Sequence, residues 1–250
     1  MHVTVVVPTY DEADNIETLI RAVRHVLPDA LVLVVDDNSP DGTAKIAERL
    51  GEDLGSVQVL HRETKDGLGA AYRAGLREAI NGGAEICVQM DADLSHDPEH
   101  IPALIEAAAD ADLVLGSRYV AGGGVENWGA VRRAISWGGS LYARLVLGIP
   151  VRDLTGGFKC FRRELLERLV REGFETAGFG FQVEVTYRSL RSGATVREVP
   201  IRFRDREAGD SKMSSRIVIE ALWRVLEMRL RAARFHAPAV RPAPMRSTAF

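Results

Sequence analysis

Residues 31–43 read LVLVVDDNSPDGT: five apolar residues stop abruptly at two carboxylates, a turn follows, and Thr43 opens what reads as a helix. A short Val- and Leu-rich run bounded by turn residues predicts a buried strand. Two acids at its carboxyl end suit either a Mg²⁺ ion or the base and ribose of a nucleotide. The rest of the chain decides between them.

Similar runs recur at 3–7, 57–60, 85–90 and 112–116, with helical periodicity between them. Ile16, Leu19, Ile20, Val23 and Leu27 share one face of a first helix, with Asp14 and Glu17 at the spacing of a capping box. Leu68, Tyr72, Leu76 and Ala79 repeat the pattern. This alternation predicts an α/β fold of three layers, with helices on both faces of a mostly parallel sheet. Ligands on such sheets bind beyond the carboxyl ends of the strands. Those ends read Pro8-Thr9-Tyr10-Asp11-Glu12, Asp36-Asp37-Asn38-Ser39, His61-Arg62 leading to Lys65, Asp91-Ala92-Asp93 and Gly116-Ser117-Arg118. Any one is an ordinary turn; five together predict a site.

Two readings of the acids fall away. A receiver domain carries its acidic pair after the first strand and is about half this long, whereas a whole strand and helix precede Asp36. A dinucleotide-binding domain needs G-x-G-x-x-G after its first strand, where this chain has PTYDE. Asp91-Ala92-Asp93 is the more telling pair: two hard oxygen donors in close succession suit Mg²⁺ or Mn²⁺, with coordination positions left open for a diphosphate.

The composition, 46% hydrophobic and 27% charged over 250 residues, is that of a globular protein with one large core. Cys87 and Cys160 lack CxxC spacing and read as core thiols. The N-terminus lacks the cationic start of a signal peptide, and no apolar run reaches spanning length. From Arg216 onward seven Arg face two Glu, a net +5, so the preceding residues carry −8. The acidic body argues against nucleic acid, and the basic end suggests a surface meeting something anionic.

Past residue 120, AGGGVENWGAVRR reads as a mobile lid loop. The stretch 134–149 has Arg144 as its one charge and suits either a core helix or one lying on a membrane. A last strand is expected around 195–203, a basic amphipathic helix over 213–235 and a disordered Pro/Ala-rich tail over 236–250.

The motifs VVVPTYDEADNI, LVVDDNSPDGT, KDGLGAAYRAG, MDADLSHDPE, VLGSRYV, DLTGGFKCFRRE and GDSKM, in that order between about residues 3 and 228, resemble the polyprenyl-phosphate (dolichol-phosphate) mannosyltransferases of glycosyltransferase family two. The resemblance implies a GT-A (Rossmann-like) catalytic domain over 1–212. It implies inverting transfer of mannose from GDP-mannose to a polyprenyl phosphate with Mg²⁺ or Mn²⁺; another nucleotide-sugar donor and a non-catalytic nucleotide-binding module are the alternatives. By similarity Pro8, Tyr10, Glu12 and Asp37 line the nucleotide pocket, while Asp36 orients Asp37 or fixes its loop. Asp91, Ala92 and Asp93 meet the diphosphate, with Asp91 and Asp93 at the metal and Ser95 as a third contact through its hydroxyl or a water. Arg118, Arg132 and Ser136 face the lipid phosphate, and Arg206 and Lys212 close over the donor, with Lys65 a weaker candidate. Asp91, Asp93 and Arg118 are the expected catalytic residues. His96 reads as a loop or cap residue. Gln182 and Glu184 either shape the sugar pocket or are buried polar residues, Glu184 then satisfied by an arginine. Some members carry transmembrane helices after the catalytic domain; none is expected within these 250 residues. The expectation is peripheral attachment to the cytoplasmic membrane face through 134–149 and 213–235, with room for a small membrane-anchoring partner.

Overall fold

A computed structural model describes residues 1–174, 180–204 and 215–234, and of 215–221 and 232–234 only the backbone. Five strands form where the apolar runs lie: β1 (Val3–Thr9), β2 (Leu31–Asp36), β3 (Val57–His61), β4 (Ile86–Gln89) and β5 (Leu113–Ser117). Between them run α1 (Ala13–Val26), α2 (Thr43–Leu54), α3 (Leu68–Asn81) and, after a 3₁₀ turn, α4 (Ile101–Ala107). There follow β6 (Gly124–Val125), α5 (Ala130–Leu147), β7 (Lys159–Arg162), α6 (Arg163–Glu172), α7 (Gly180–Arg191), β8 (Val196–Pro200), β9 (Arg202–Phe203) and α8 (Ser215–Arg234).

The main sheet has the order β3-β2-β1-β4-β7-β5-β8. β7 alone runs against its neighbours, so the carboxyl ends of the other six strands share one edge. The period-two rule sorts side chains into two cores. Val6, Leu33 and Val35 face α3 and the helices after residue 130, while Val5, Val7, Val32 and Val34 face α1, α2 and α4. The layering is therefore the expected αβα. The close approach of α3 to the sheet depends on Gly75, where a Cβ would lie 2.5 Å from Val6 Cγ1 and 2.6 Å from Val35 Cγ2.

Cys87 and Cys160 are buried free thiols on β4 and β7, and burial pushes both up to about 12.

Three local expectations need correction. The capping box of Asp14 and Glu17 does not form: α1 starts at Ala13 with Glu12 at its cap. The caps come from the loop after β2, where Thr43 Oγ1 accepts from Glu12 N at 3.0 Å and Asp41 Oδ2 from Ala13 N at 2.9 Å. Glu17 instead pairs with Arg21. The glycine-rich stretch is not a free lid, because Gly124 and Val125 pair with Arg202 and Phe203, and Trp128 is buried against Phe203. The last strand breaks at buried Ile201, whose backbone N–H donates to Ser117 O, and this break separates β8 from β9.

The stretch 134–149 is half in the core. α5 begins earlier, at Ala130, and buries Ser140, Ala143 and Leu147, the last two in the same core as Leu33 and Val35, while Ile135, Trp137 and Leu145 stay exposed. It also packs against α8, where Tyr142 OH donates to Leu222 O at 3.1 Å. Among the described residues no helix is long and apolar enough to cross a membrane.

Candidate active site

The shared edge of the sheet gathers the polar strand ends, and β1 lies where the strand order turns back, between β2 and β4. Three of its loops hold a non-glycine residue at positive φ: Asp11 (58°), Asn38 (58°) and Leu94 (60°). A leucine there costs about 1–2 kcal/mol, and such strain concentrates at functional sites.

At the β1–β2 end the two acids have different work. Asp36 is buried, and its carboxylate accepts from Thr9 Oγ1 at 2.9 Å, Ser39 N at 2.9 Å and Ser39 Oγ at 2.6 Å. It therefore fixes the turn. Asp37 is also buried and accepts from Arg62 Nη1 at 2.5 Å, with Asp66 bonding the other end of the same guanidinium. Burial raises the Asp37 pKa, and Arg62 only partly offsets it. Pro8 is buried in β1; its missing N–H is tolerated because pairing with β4 ends at Val6–Gln89. Tyr10 lies beneath Lys65, whose Nζ stands 3.3 Å from the ring centroid. Glu12 accepts from Asn15 Nδ2 at 2.9 Å.

At the β4 end Asp91 Oδ1 accepts from Tyr72 OH at 2.7 Å, and Asp91 N donates to His96 Nδ1 at 3.0 Å. Tyr72 is fully buried, and burial and the Asp91 carboxylate together hold its pKa well above the phenol range. The hydroxyl therefore stays a donor. His96 is stacked on Phe158 at 4.9 Å, and burial lowers its pKa despite the nearby Asp91 and Asp93. With Nδ1 accepting, His96 is a neutral prop for the loop. Asp93 Oδ1 accepts from Ser95 Oγ at 2.6 Å. Gly157 lets its backbone lie close to the carboxylate, since a Cβ there would lie 3.1 Å from Asp91 Oδ2.

At the β5 end Arg118 is buried and forked onto Asp153: Nε donates to Oδ2 and Nη2 to Oδ1, both at 2.7 Å, and Arg118 N donates to Oδ2 at 2.9 Å. Nη2 also donates to Thr155 Oγ1 at 2.8 Å. Burial alone would disfavour both charges, but their attraction prevails, raising the arginine and lowering the aspartate. The expectation that Arg118 faces a ligand therefore narrows to Nη1, which bonds nothing among the described residues. Asp153 is held in turn by Glu198, which accepts from Asp153 N at 2.9 Å and from Ser117 Oγ at 2.7 Å. Arg132 and Ser136 stand one turn apart on α5, Arg132 over the Trp128 ring at 4.4 Å and Ser136 accepting from Tyr119 OH at 2.7 Å. Arg118, Arg132 and Ser136 thus meet around Trp128 and Tyr119. Arg206 and Lys212 lie outside the described residues, as does the tail beyond Arg234.

On β7, beside β4, Lys159 Nζ donates to the Gln182 carbonyl and to its Oε1 at 2.8 and 2.7 Å, and Gln182 also accepts from Gln89. Burial lowers Lys159 to about 7. Gln182 is therefore a core residue under the site, and Glu184 is a buried acid paired with Arg188 at 2.8 Å. Sequence reading missed the roles of Arg62, Tyr72, Asp153 and Lys159, although each lies in or beside a stretch it had singled out.

Among solved structures the fold resembles a glucosyl-3-phosphoglycerate synthase from Mycobacterium tuberculosis, with TM-score 0.69 and 21% identity over 90% of this chain and 80% of that one. It also resembles a mannosyltransferase from Pyrobaculum calidifontis in complex with GDP-Man and Mn²⁺, with TM-score 0.61 and 23% identity over 95% of this chain and 66% of that one. These place it in the GT-A fold class. The chain belongs to glycosyl transferase family 2, whose sequence profile matches residues 4–170. It is 47% identical to the undecaprenyl-phosphate mannosyltransferase of Micrococcus luteus over 93% of this chain and 96% of that protein. It is 43% identical to the polyprenol monophosphomannose synthase of Mycolicibacterium smegmatis over 91% and 86% respectively.

Proposed function

We propose that the protein is an inverting polyprenyl-phosphate mannosyltransferase that moves mannose from GDP-mannose to the phosphate of a membrane isoprenoid. The carrying observation is the near-full-length similarity to two proteins named for mannose and polyprenyl phosphate. The layout of the site supports it.

In this reading the nucleoside sits against Tyr10, Glu12 and Asp37, the diphosphate against Asp91, Ala92 and Asp93, and the acceptor phosphate against Arg118, Arg132 and Ser136. Arg206 and Lys212 complete the donor side. A phosphate monoester has its second pKa near 6, so the acceptor is already a nucleophile at neutral pH and needs no general base. The neutral His96, whose Nδ1 accepts from Asp91 N, fits that economy. The demand on the protein is to hold two anions close together, which buried and stacked guanidiniums meet.

Divalent metal fits the donor set. Asp91 keeps Oδ2 without a hydrogen bond among the described residues. No cluster of three or more His, Cys, Asp or Glu able to hold a metal occurs among them, so diphosphate oxygens and water would complete the shell around Asp91, Asp93 and Ser95. The ion would supply charge neutralisation at the leaving diphosphate. Tyr72 orients Asp91, and Asp153 orients Arg118.

Peripheral attachment to the cytoplasmic membrane face through α5 and α8 belongs to the same reading, supported by the exposed Val131, Ile135, Trp137, Leu145, Trp223 and Leu230. The test is transfer of label from GDP-mannose to a polyprenyl phosphate in detergent with Mg²⁺, Mn²⁺ or chelator, beside UDP-glucose. Metal-dependent, β-configured product from GDP-mannose is expected. Transfer from UDP-glucose alone would overturn the donor, and retained configuration would overturn the mechanism.

A further inference from the structure

α5 leaves Val131 74%, Trp137 54% and Leu145 71% exposed. Beside this apolar side lies a cavity of about 210 Å³ lined by Tyr119, Trp137, Leu141, Arg144 and Arg152. Trp137, Leu141 and Arg144 follow at i, i+4 and i+7, so they stack along one helix face. Arg152 arrives from the turn after the helix, which is pinned where Arg152 N donates to Glu198 Oε2 at 2.9 Å. Both guanidiniums are exposed, and neither side chain makes a hydrogen bond or ion pair among the described residues. Other arginines such as Arg62, Arg118, Arg163 and Arg188 meet carboxylates, whereas no carboxylate faces these two among the described residues. Two unneutralised cations converging on one cavity, beside an indole and a leucine, form a receptor for an anion that carries apolar chains. Guanidinium forks match phosphate oxygens, and the indole suits the depth of a headgroup.

We propose that this cavity binds the phosphodiester headgroup of an anionic phospholipid, docking α5 on the bilayer beside the reaction site. The proposal rests on the reading that the acceptor is drawn from a membrane. The cavity is distinct from the acceptor group: Arg118 is turned inward to Asp153, and Tyr119 is the shared wall, lining the cavity while its hydroxyl reaches Ser136. A headgroup held there fixes the face around Arg132 and Ser136 at the membrane surface, where an isoprenoid phosphate is presented.

The test uses the full chain and its R144A/R152A variant. Each is sedimented with phosphatidylcholine vesicles and with vesicles also containing phosphatidylglycerol, and each is assayed for transfer to a short-chain polyprenyl phosphate in phospholipid-free detergent. At roughly fivefold per arginine near an anionic surface, the variant is expected to lose on the order of thirtyfold in preference for the anionic vesicles. Its KM for the short-chain acceptor should stay unchanged. Equal partitioning of variant and wild type would overturn the proposal. So would a raised acceptor KM with vesicle binding intact, which would assign the arginines to the acceptor. Arginine-dependent vesicle binding in a protein that transfers no sugar would sustain the headgroup site and remove the mannosyltransferase reading.

Discussion

Replacing Asp153 with asparagine tests the organisation of the acceptor end. Asp153 is 1% exposed and accepts from Arg118 N, Nε and Nη2 and from Gly156 N. Asparagine preserves the shape and one acceptor oxygen but removes the charge, leaving the buried Arg118 guanidinium uncompensated. Breaking a buried pair from one side costs about 3–5 kcal/mol. In a chain of this size each kcal/mol moves the melting temperature about 2–4 °C, so D153N should melt roughly 6–20 °C lower. The companion R118M/D153N removes both charges, and the asparagine oxygen still accepts from one of the two backbone donors, Arg118 N or Gly156 N. It should recover at least half of the loss, yet stay inactive in transfer. Melting by circular dichroism, urea titration and the label-transfer assay read the three quantities. A D153N melting point within about 2 °C of wild type, or a double variant no more stable than D153N, would refute the buried-charge argument.

Further outcomes follow from the same geometry. Y72F deletes the hydroxyl that bonds Asp91; it should raise the metal concentration giving half-maximal transfer several-fold while shifting stability by about 1–2 kcal/mol, as metal titrations and melts would reveal. G75A should destabilise by about 1–2 kcal/mol, because the Cβ clash with Val6 and Val35 outweighs alanine's helix preference; a stabilised variant in urea titration would show that α3 can shift. D41A removes the remote cap of α1 and should cost about 1 kcal/mol at neutral pH. Burial pushes Asp41 up, but bonds from Thr43 and Ala13 prevail and leave it below 3.8. The deficit of D41A should therefore be full above that pH and shrink below it, in paired urea titrations. Burial holds Lys159 near 7 against 10.5 unfolded, so the unfolded chain binds more protons between those values. The stability of wild type relative to K159M should rise with pH across that window, and a flat difference would contradict the burial of Lys159.

The inner parallel strands β1, β2, β4 and β5 were legible because each is a nearly continuous apolar run ending in polar residues, and a strand buried on both faces imposes that pattern, whereas the edge strands β3 and β8 are partly exposed and carry polar residues. β7 was not. KCFR is too short for periodicity, and it places a lysine where the core demands an apolar residue, a choice permitted only by Gln182 from a helix about twenty residues later. The α1 caps were misread for a similar reason: Asp41 and Thr43 are distant in sequence, whereas Asp14 and Glu17 have the right spacing in the wrong frame. At the site, residue types at strand ends predicted where polar groups gather. What each one bonds depended on partners in other motifs, such as Asp153 for Arg118 and Tyr72 for Asp91.

The reversed strand also sets a distance. Neighbouring strands stand about 4.8 Å apart, so inserting β7 between β4 and β5 separates the Asp91 and Arg118 strands by about 9.5 Å. Under the proposed function one strand end grips the departing diphosphate and the other the arriving phosphate, with a single hexose ring between them. The antiparallel insertion then acts as a gauge block. Without it the two anions would be forced to about half that separation, too near for a sugar to lie between them.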